Sequence, residues 1–202
     1  MISDYTMQTW KKNIMTIANE SGVDVRLSRL FCATLDFLYH TNLSGACHGV
    51  SAMLYVAYSE LGFEPKLCTG IFGKDNWESG HSWIELGGKV FDASCCFSSP
   101  NTPKPPPVFC GRTVDTMKAT EMVYGISSNH VAEDVQAVLD TTLPRVMNGK
   151  YERLRGASLW QALDNVCMLA KVEIFKITDD WLDVRGLEKK YEGTRWVLCK
   201  DW

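Results

Sequence analysis

Residues 42–65 read NLSGACHGVSAMLYVAYSELGFEP and residues 81–94 read HSWIELGGKVFDAS. Ser44 is a favourable N-cap residue and predicts a helix with Cys47 in its first turn. Apolar positions then recur at helical spacing (Val50, Met53, Leu54, Ala57, Tyr58, Leu61), which predicts an amphipathic helix that Gly62 and Pro65 bring to an end. A thiol in such a first turn lies near free backbone N–H groups and the positive end of the helix dipole, and both favour thiolate over thiol. Cys47 is therefore the candidate nucleophile.

The second stretch predicts a two-stranded hairpin. Gly87-Gly88 fits a two-residue primed turn between strand-forming residues. Counting outward from that turn sets Leu86 against Lys89 and Trp83 against Asp92, with His81 two residues further along the same face. His81 and Asp92 are then diagonal cross-strand neighbours, with Cα atoms about 7–8 Å apart and side chains within reach of each other.

With 202 residues, 46% of them hydrophobic, the chain can bury one core of good size. The expected organisation is a single domain over 1–202: a core motif at 42–94, a proline-rich loop at 98–107 and a C-terminal extension at 108–202. A net charge of -3 supplies no global attraction for nucleic acid or an anionic membrane. The sequence shows neither a basic, apolar leader nor an apolar run of membrane-spanning length, so a soluble, cytoplasmic protein is expected. The eight cysteines lie mostly in apolar segments such as LSRLFCATLDFL and DNVCMLA, which favours buried thiols over a disulfide framework. Structural zinc sites want C-x-x-C or C-x-x-H spacings; Cys95-Cys96 with Cys110 is the nearest approach to one. No metal or organic cofactor is called for.

Elsewhere the periodicity predicts helices over 4–20 (Met7, Trp10, Ile14 and Ile17 inward) and 24–40 (Leu27, Leu30, Phe31, Leu35 and Leu38 inward), both covering the cysteine helix. Residues 66–72 have strand composition, 73–80 read as a polar loop, and 98–107 as an extended surface spacer. Beyond them, 108–114 and 194–202 are strand-like, and 130–142 and 158–171 helical. The order is that of an α+β protein with an antiparallel sheet.

Nucleophilic acyl transfer needs a thiolate, a base that takes and returns a proton, and a group that fixes the base's tautomer. Cys47, His81 and Asp92 supply these types in that order. The Cys47 backbone N–H is a natural oxyanion donor, and the sequence identifies no second one. The pattern of Gly45-Ala46-Cys47 opening a helix, His81-Ser82-Trp83-Ile84-Glu85, then Asp92 resembles the transglutaminase-like, papain-related superfamily, and also the leader peptidases of lasso-peptide biosynthesis. That resemblance covers residues 42–94 and implies a papain-like α+β fold with a Cys-His-Asp triad on Cys47, His81 and Asp92. Ser82 stands where alanine is common, Ala93 where proline often follows the aspartate, and the Arg-Gly-Gly approach of arylamine acetyltransferases is missing. The implied activity is a cysteine-dependent hydrolase of amide or peptide bonds, acting on a peptide, protein or small amide through a thioester. An acyltransferase using the same triad, or a binding or sequestering protein that kept only the fold, are the alternatives.

Other candidates have plainer readings. His48 follows Cys47 but points about 100° away on a helix, which makes it a surface or packing residue rather than the base. Trp83 reads as core or cleft wall, and Glu85 as a solvated or hydrogen-bonded strand position. Trp77 and Trp160 are packing residues by default, and His40 and His130 belong to no motif.

Overall fold

The computed structural model describes residues 2–98, 102–126, 133–174, 187–192 and 194–200. Helix α1 (Asp4–Ser21) starts where the Ser3 hydroxyl accepts from the Thr6 N–H, and ends at Gly22, whose φ of 64° favours glycine. Helix α2 (Val25–Thr41) starts at Asp24, whose carboxylate accepts from the Arg26 N–H. Both bury the stripes that helical spacing predicts. Helix α3 (Cys47–Glu60) departs from expectation in two ways. Residues 49–58 are all buried, so α3 is a core helix rather than an amphipathic one. Its cap position is Ala46, not Ser44, because the Ser44 hydroxyl is engaged by the Arg153 guanidinium and the first ladder bond runs from Val50 N–H to Ala46 O at 2.9 Å.

Strands β1 (Lys66–Lys74), β2 (Trp77–Leu86) and β3 (Lys89–Phe91) form an antiparallel meander. Residues 73–80 are therefore not a loop. β1 and β2 stay paired up to a two-residue turn at Asp75-Asn76, with Asp75 at φ 55°. Gly73 permits this: a Cβ there would lie 2.3 Å from the Trp77 carbonyl oxygen. The polar residues at the tip that look loop-like simply face solvent. The second turn is as expected, with Gly87 and Gly88 at φ 57° and 72°, Leu86 opposite Lys89 and Ile84 opposite Phe91.

Past β3, Asp92 exchanges two backbone hydrogen bonds with Val108, of 2.7 and 2.9 Å. Val108 opens β4 (Val108–Phe109), which pairs with β5 (Arg112–Thr113) in a separate two-stranded ribbon. The proline segment before it is no mere surface spacer, since Pro107 is buried. Strand β6 (Val123–Tyr124) pairs with β1. Among the described residues three α-helices follow. The first is α4 (Glu133–Leu139), shorter than its predicted span, of which 130–132 lie outside the described residues. Next is α5 (Leu143–Asn148), whose six residues are too few to show periodicity in sequence. Last is α6 (Leu159–Ala170), which opens with a capping box between Ser158 and Gln161. Strands β7 (Leu187–Glu192) and β8 (Arg195–Lys200) complete a sheet of order β3-β2-β1-β8-β7, with β6 also on β1.

Helix α3 packs on α2, α5 and α6 and on strands β1 and β2. An edge-to-face aromatic chain, Phe31–Phe109–Phe91–Tyr58 with ring centroids 5.1, 5.0 and 6.1 Å apart, ties the helices to β3, the strand that leads into Asp92. Trp83, Cys68 and Val197 form a smaller buried cluster with Tyr124 against it. The architecture is α+β with an antiparallel sheet. Among the described residues no helix is long and apolar enough to cross a membrane.

Candidate active site

Strand alternation divides β2 between two jobs. Ser82 and Ile84 belong to the α3 side: the Ser51 hydroxyl donates to the Ser82 carbonyl at 2.9 Å and Ile84 joins the main core. His81 and Trp83 take the other face. There the His81 Nε2–H donates to Asp92 Oδ2 at 2.7 Å, with only 3% and 0% of the two side chains exposed. His81 and Cys47, at the head of α3, line the same cavity, and each shifts the other's titration. With Nε2 committed to Asp92, Nδ1 is the ring nitrogen left over. The imidazole lies flat on Phe72, with centroids 4.0 Å apart and planes 22° from parallel. It is held at one nitrogen and on one face.

Asp92 is held more firmly still. Its Oδ1 accepts from the Ser94 N–H and hydroxyl, both at 3.0 Å, and from the Cys95 N–H at 3.1 Å, while Oδ2 also accepts from the Tyr124 hydroxyl at 2.9 Å. These bonds open the 3₁₀ turn Cys95–Phe97, an Asx-type turn in which the side chain stands in for a backbone acceptor. A buried carboxylate with five donors is satisfied and immobile.

The electrostatics follow from this arrangement. Burial alone pushes a thiol pKa up, but at Cys47 the charge of His81, its hydrogen bond and a backbone hydrogen bond from Ser82 outweigh burial and hold the thiol below its ordinary value. Burial works against a charged imidazole too, yet Asp92 and Cys47 raise His81 to about 10. Burial of Asp92 is overcome by His81, Ser94 and Tyr124, which keep its carboxyl below the usual carboxylate range. All three shifts run in the direction that favours a thiolate, an imidazolium and a carboxylate side by side. The other described thiols with a shifted pKa go the opposite way: burial pushes Cys32 and Cys167 up to about 12, and Cys68, Cys95 and Cys96 also upward.

His48 is more involved than its position on the helix predicts. Its Nδ1 lies 3.1 Å from Ser82 Oγ, which lies 2.8 Å from Thr69 Oγ1, and the ring lines the cavity beside Cys47. Trp83 is fully buried and donates to Glu85 Oε1 at 3.1 Å, while Glu85 Oε2 pairs with Arg195 at 2.7 Å, so both are packing and bonding residues. Trp77 meets Phe72 edge-on at 5.3 Å, and Trp160 donates to Asn148 Oδ1 at 2.7 Å. Among the described residues no group of three His, Cys, Asp or Glu side chains is arranged to hold a metal. Cys95 Sγ instead sits 3.2 Å from the Pro106 carbonyl oxygen.

Phe72 and Tyr124 join the site without a sequence signal, because generic aromatics 9 and 32 residues from their partners mark nothing. Ser94 did have one: Asp92-Ala93-Ser94 is an Asx-turn pattern. A cavity of about 420 Å³ opens beside Cys47 and His81, and the Cys47 N–H, at the first position of the helix, has no carbonyl four residues back to bond. No family model, curated protein or solved structure matches this chain.

Proposed function

We propose that this protein is a cysteine-dependent hydrolase of amide or peptide bonds, built on the transglutaminase-like, papain-related fold that its Cys, His and Asp pattern resembles. The observation that carries the reading is one buried imidazole that donates to a fully bonded carboxylate, Asp92, and shares a cavity wall with Cys47, whose thiol its charge helps to hold below the ordinary value.

In this reading the Cys47 thiolate adds to the carbonyl carbon, and the oxygen that becomes negative is met by the Cys47 N–H. The imidazolium of His81 gives its Nδ1 proton to the leaving amine, the C–N bond breaks, and a thioester remains. His81, now neutral, takes a proton from water as that water adds to the thioester. The C–S bond then breaks, releasing the acid and restoring the thiolate–imidazolium pair. Asp92 holds the tautomer that keeps Nδ1 toward the sulfur and never itself takes the proton.

The test is iodoacetamide labelling of the native protein, mapped by peptide mass, followed by hydrolysis of a panel of peptide amides. Cys47 is expected to be labelled selectively below the pH of an ordinary thiol, to lose that advantage in His81→Ala, and to be required for hydrolysis when replaced in Cys47→Ser. Adding a primary amine separates hydrolysis from acyl transfer by its product. A Cys47 no more reactive than the other cysteines would overturn the reading.

A further inference from the structure

The cavity beside Cys47 carries information about what it takes in. It lies between the head of α3, the strands β1 and β2, and the helices α4, α5 and α6, and it opens onto both Cys47 and His81. Much of its wall is hydrocarbon: Leu43 and Phe97 near the start of α3, Val135 and Val138 of α4, Val146 of α5 and Leu159 of α6. The polar groups along it are hydroxyls, His48 and the reacting pair. No Asp, Glu, Lys or Arg is among the described residues that line it. Gly49, two residues past Cys47, forms part of the wall, where a Cβ would come within 2.9 Å of Leu159 Cδ1. At about 420 Å³ the space is within the range of pockets that enclose most of a small organic ligand.

We infer that this cavity seats an uncharged, apolar group adjoining the carbonyl that Cys47 attacks, so that the substrate class is an apolar acyl or aminoacyl amide. The inference rests on the hydrolase reading for the identity of the nucleophile. Two physical arguments support it. Each methylene moved from water into such a wall favours binding by about fourfold. A charge moved there finds no opposite side chain beyond the reacting pair, which is already committed to each other and to Asp92, and loses its hydration. A peptide side chain and an aliphatic acyl chain share this chemistry, and the probes below distinguish them.

The experiment measures second-order rates of Cys47 alkylation by two series of chloromethyl ketones, read by peptide mass mapping on the full chain. One series carries N-acetylated Leu, Phe, Glu and Lys; the other carries straight alkyl chains of increasing length. Rates are expected to rise about fourfold per methylene until the cavity is full, with the Leu and Phe probes faster than the Glu and Lys probes by on the order of tenfold or more. A faster Leu or Phe probe than the alkyl chain of equal carbon count supports the proposal with a peptide source, and the reverse order supports it with an acyl chain.

In Val146→Phe, which fills part of the space, the rise with chain length should stop at a shorter chain than in wild type. Rates independent of chain length, or a Glu or Lys probe as fast as Leu, would overturn the inference even if the variant fails to fold, because wild type alone reads them. Failure of the triad shows up separately, as loss of selectivity for Cys47 with the methyl probe.

Discussion

Replacing Asp92 by Asn tests the electrostatic core of the site with almost no change of shape. The Ser94 and Cys95 N–H groups both point at Oδ1, so the amide must present its carbonyl oxygen there. Its NH₂ is then left facing His81 Nε2 and the Tyr124 hydroxyl, where the carboxylate accepted at 2.7 and 2.9 Å. An imidazolium would now hold N–H against N–H₂. The ring relieves this by losing the Nε2 proton and keeping Nδ1–H, the tautomer that cannot accept the proton of Cys47. A hydrogen bond to a charged partner contributes about 1.5–3 kcal/mol, and one pKa unit corresponds to about 1.4 kcal/mol. The acid limb of Cys47 alkylation should therefore move up by roughly one to two pH units. At a pH below both limbs that is a loss of about 10- to 100-fold in rate. A smaller effect opposes it: Asp92 repels the thiolate, and the amide does not. The assay is the pH dependence of iodoacetamide labelling at Cys47, compared between wild type and Asp92→Asn, with the urea midpoint as a check on folding. An unmoved or downward-shifted limb in a folded variant would show that repulsion of the sulfur outweighs support of the imidazolium, and the electrostatic argument would be wrong.

Three further outcomes follow from the same geometry. Tyr124→Phe keeps the ring against Trp83 and Phe72 but removes one donor from Asp92; it should cost about 1–1.5 kcal/mol in urea unfolding, and a change below 0.3 kcal/mol would show the hydroxyl to be dispensable. Gly73→Ala places a methyl carbon 2.3 Å from the Trp77 carbonyl oxygen, a backbone atom that cannot rotate away; the expected loss is about 1–3 kcal/mol, and a thermal midpoint equal to wild type would contradict the close approach. His81 has a pKa of about 10 in the folded protein, against about 6.5 in an unfolded chain. The folded imidazole thus keeps a proton that the unfolded one releases, and this contribution is complete below about pH 6.5 and is lost as pH rises through about 10. The lowered Cys47 thiol works in the opposite sense up to the ordinary thiol value of about 8.5. The urea midpoint should therefore fall chiefly above about pH 8.5, and fall less in His81→Gln; identical slopes there would remove His81 as the cause.

Much of the site was legible because its parts are local in sequence. The Gly87-Gly88 turn fixes a two-residue register, and register alone brings His81 and Asp92 to one face of the hairpin. Cys47 at the head of α3 was readable from the apolar run behind it, although the cap fell on Ala46 because Arg153, 109 residues away, takes the Ser44 hydroxyl. The hairpin tip at 73–80 misled for a local reason: solvent-facing strand residues are polar, and composition cannot tell them from a loop.

The sequence by itself determined the helices α1, α2, α3 and α6, the Gly87-Gly88 hairpin and the identity of the three candidate site side chains, since each depends on spacings of a few residues and on the intrinsic chemistry of cysteine, histidine and aspartate. Only the tertiary structure decided that Phe72 would lie under the imidazole, that Tyr124 would reach the carboxylate, that β8 would pair with β1, and that three helices would help wall a cavity whose described lining holds no Asp, Glu, Lys or Arg. These features join segments far apart in the chain. Their contacts arise from burying apolar surface and satisfying polar groups within it, which is a property of the packed whole and leaves no periodic mark on any single segment.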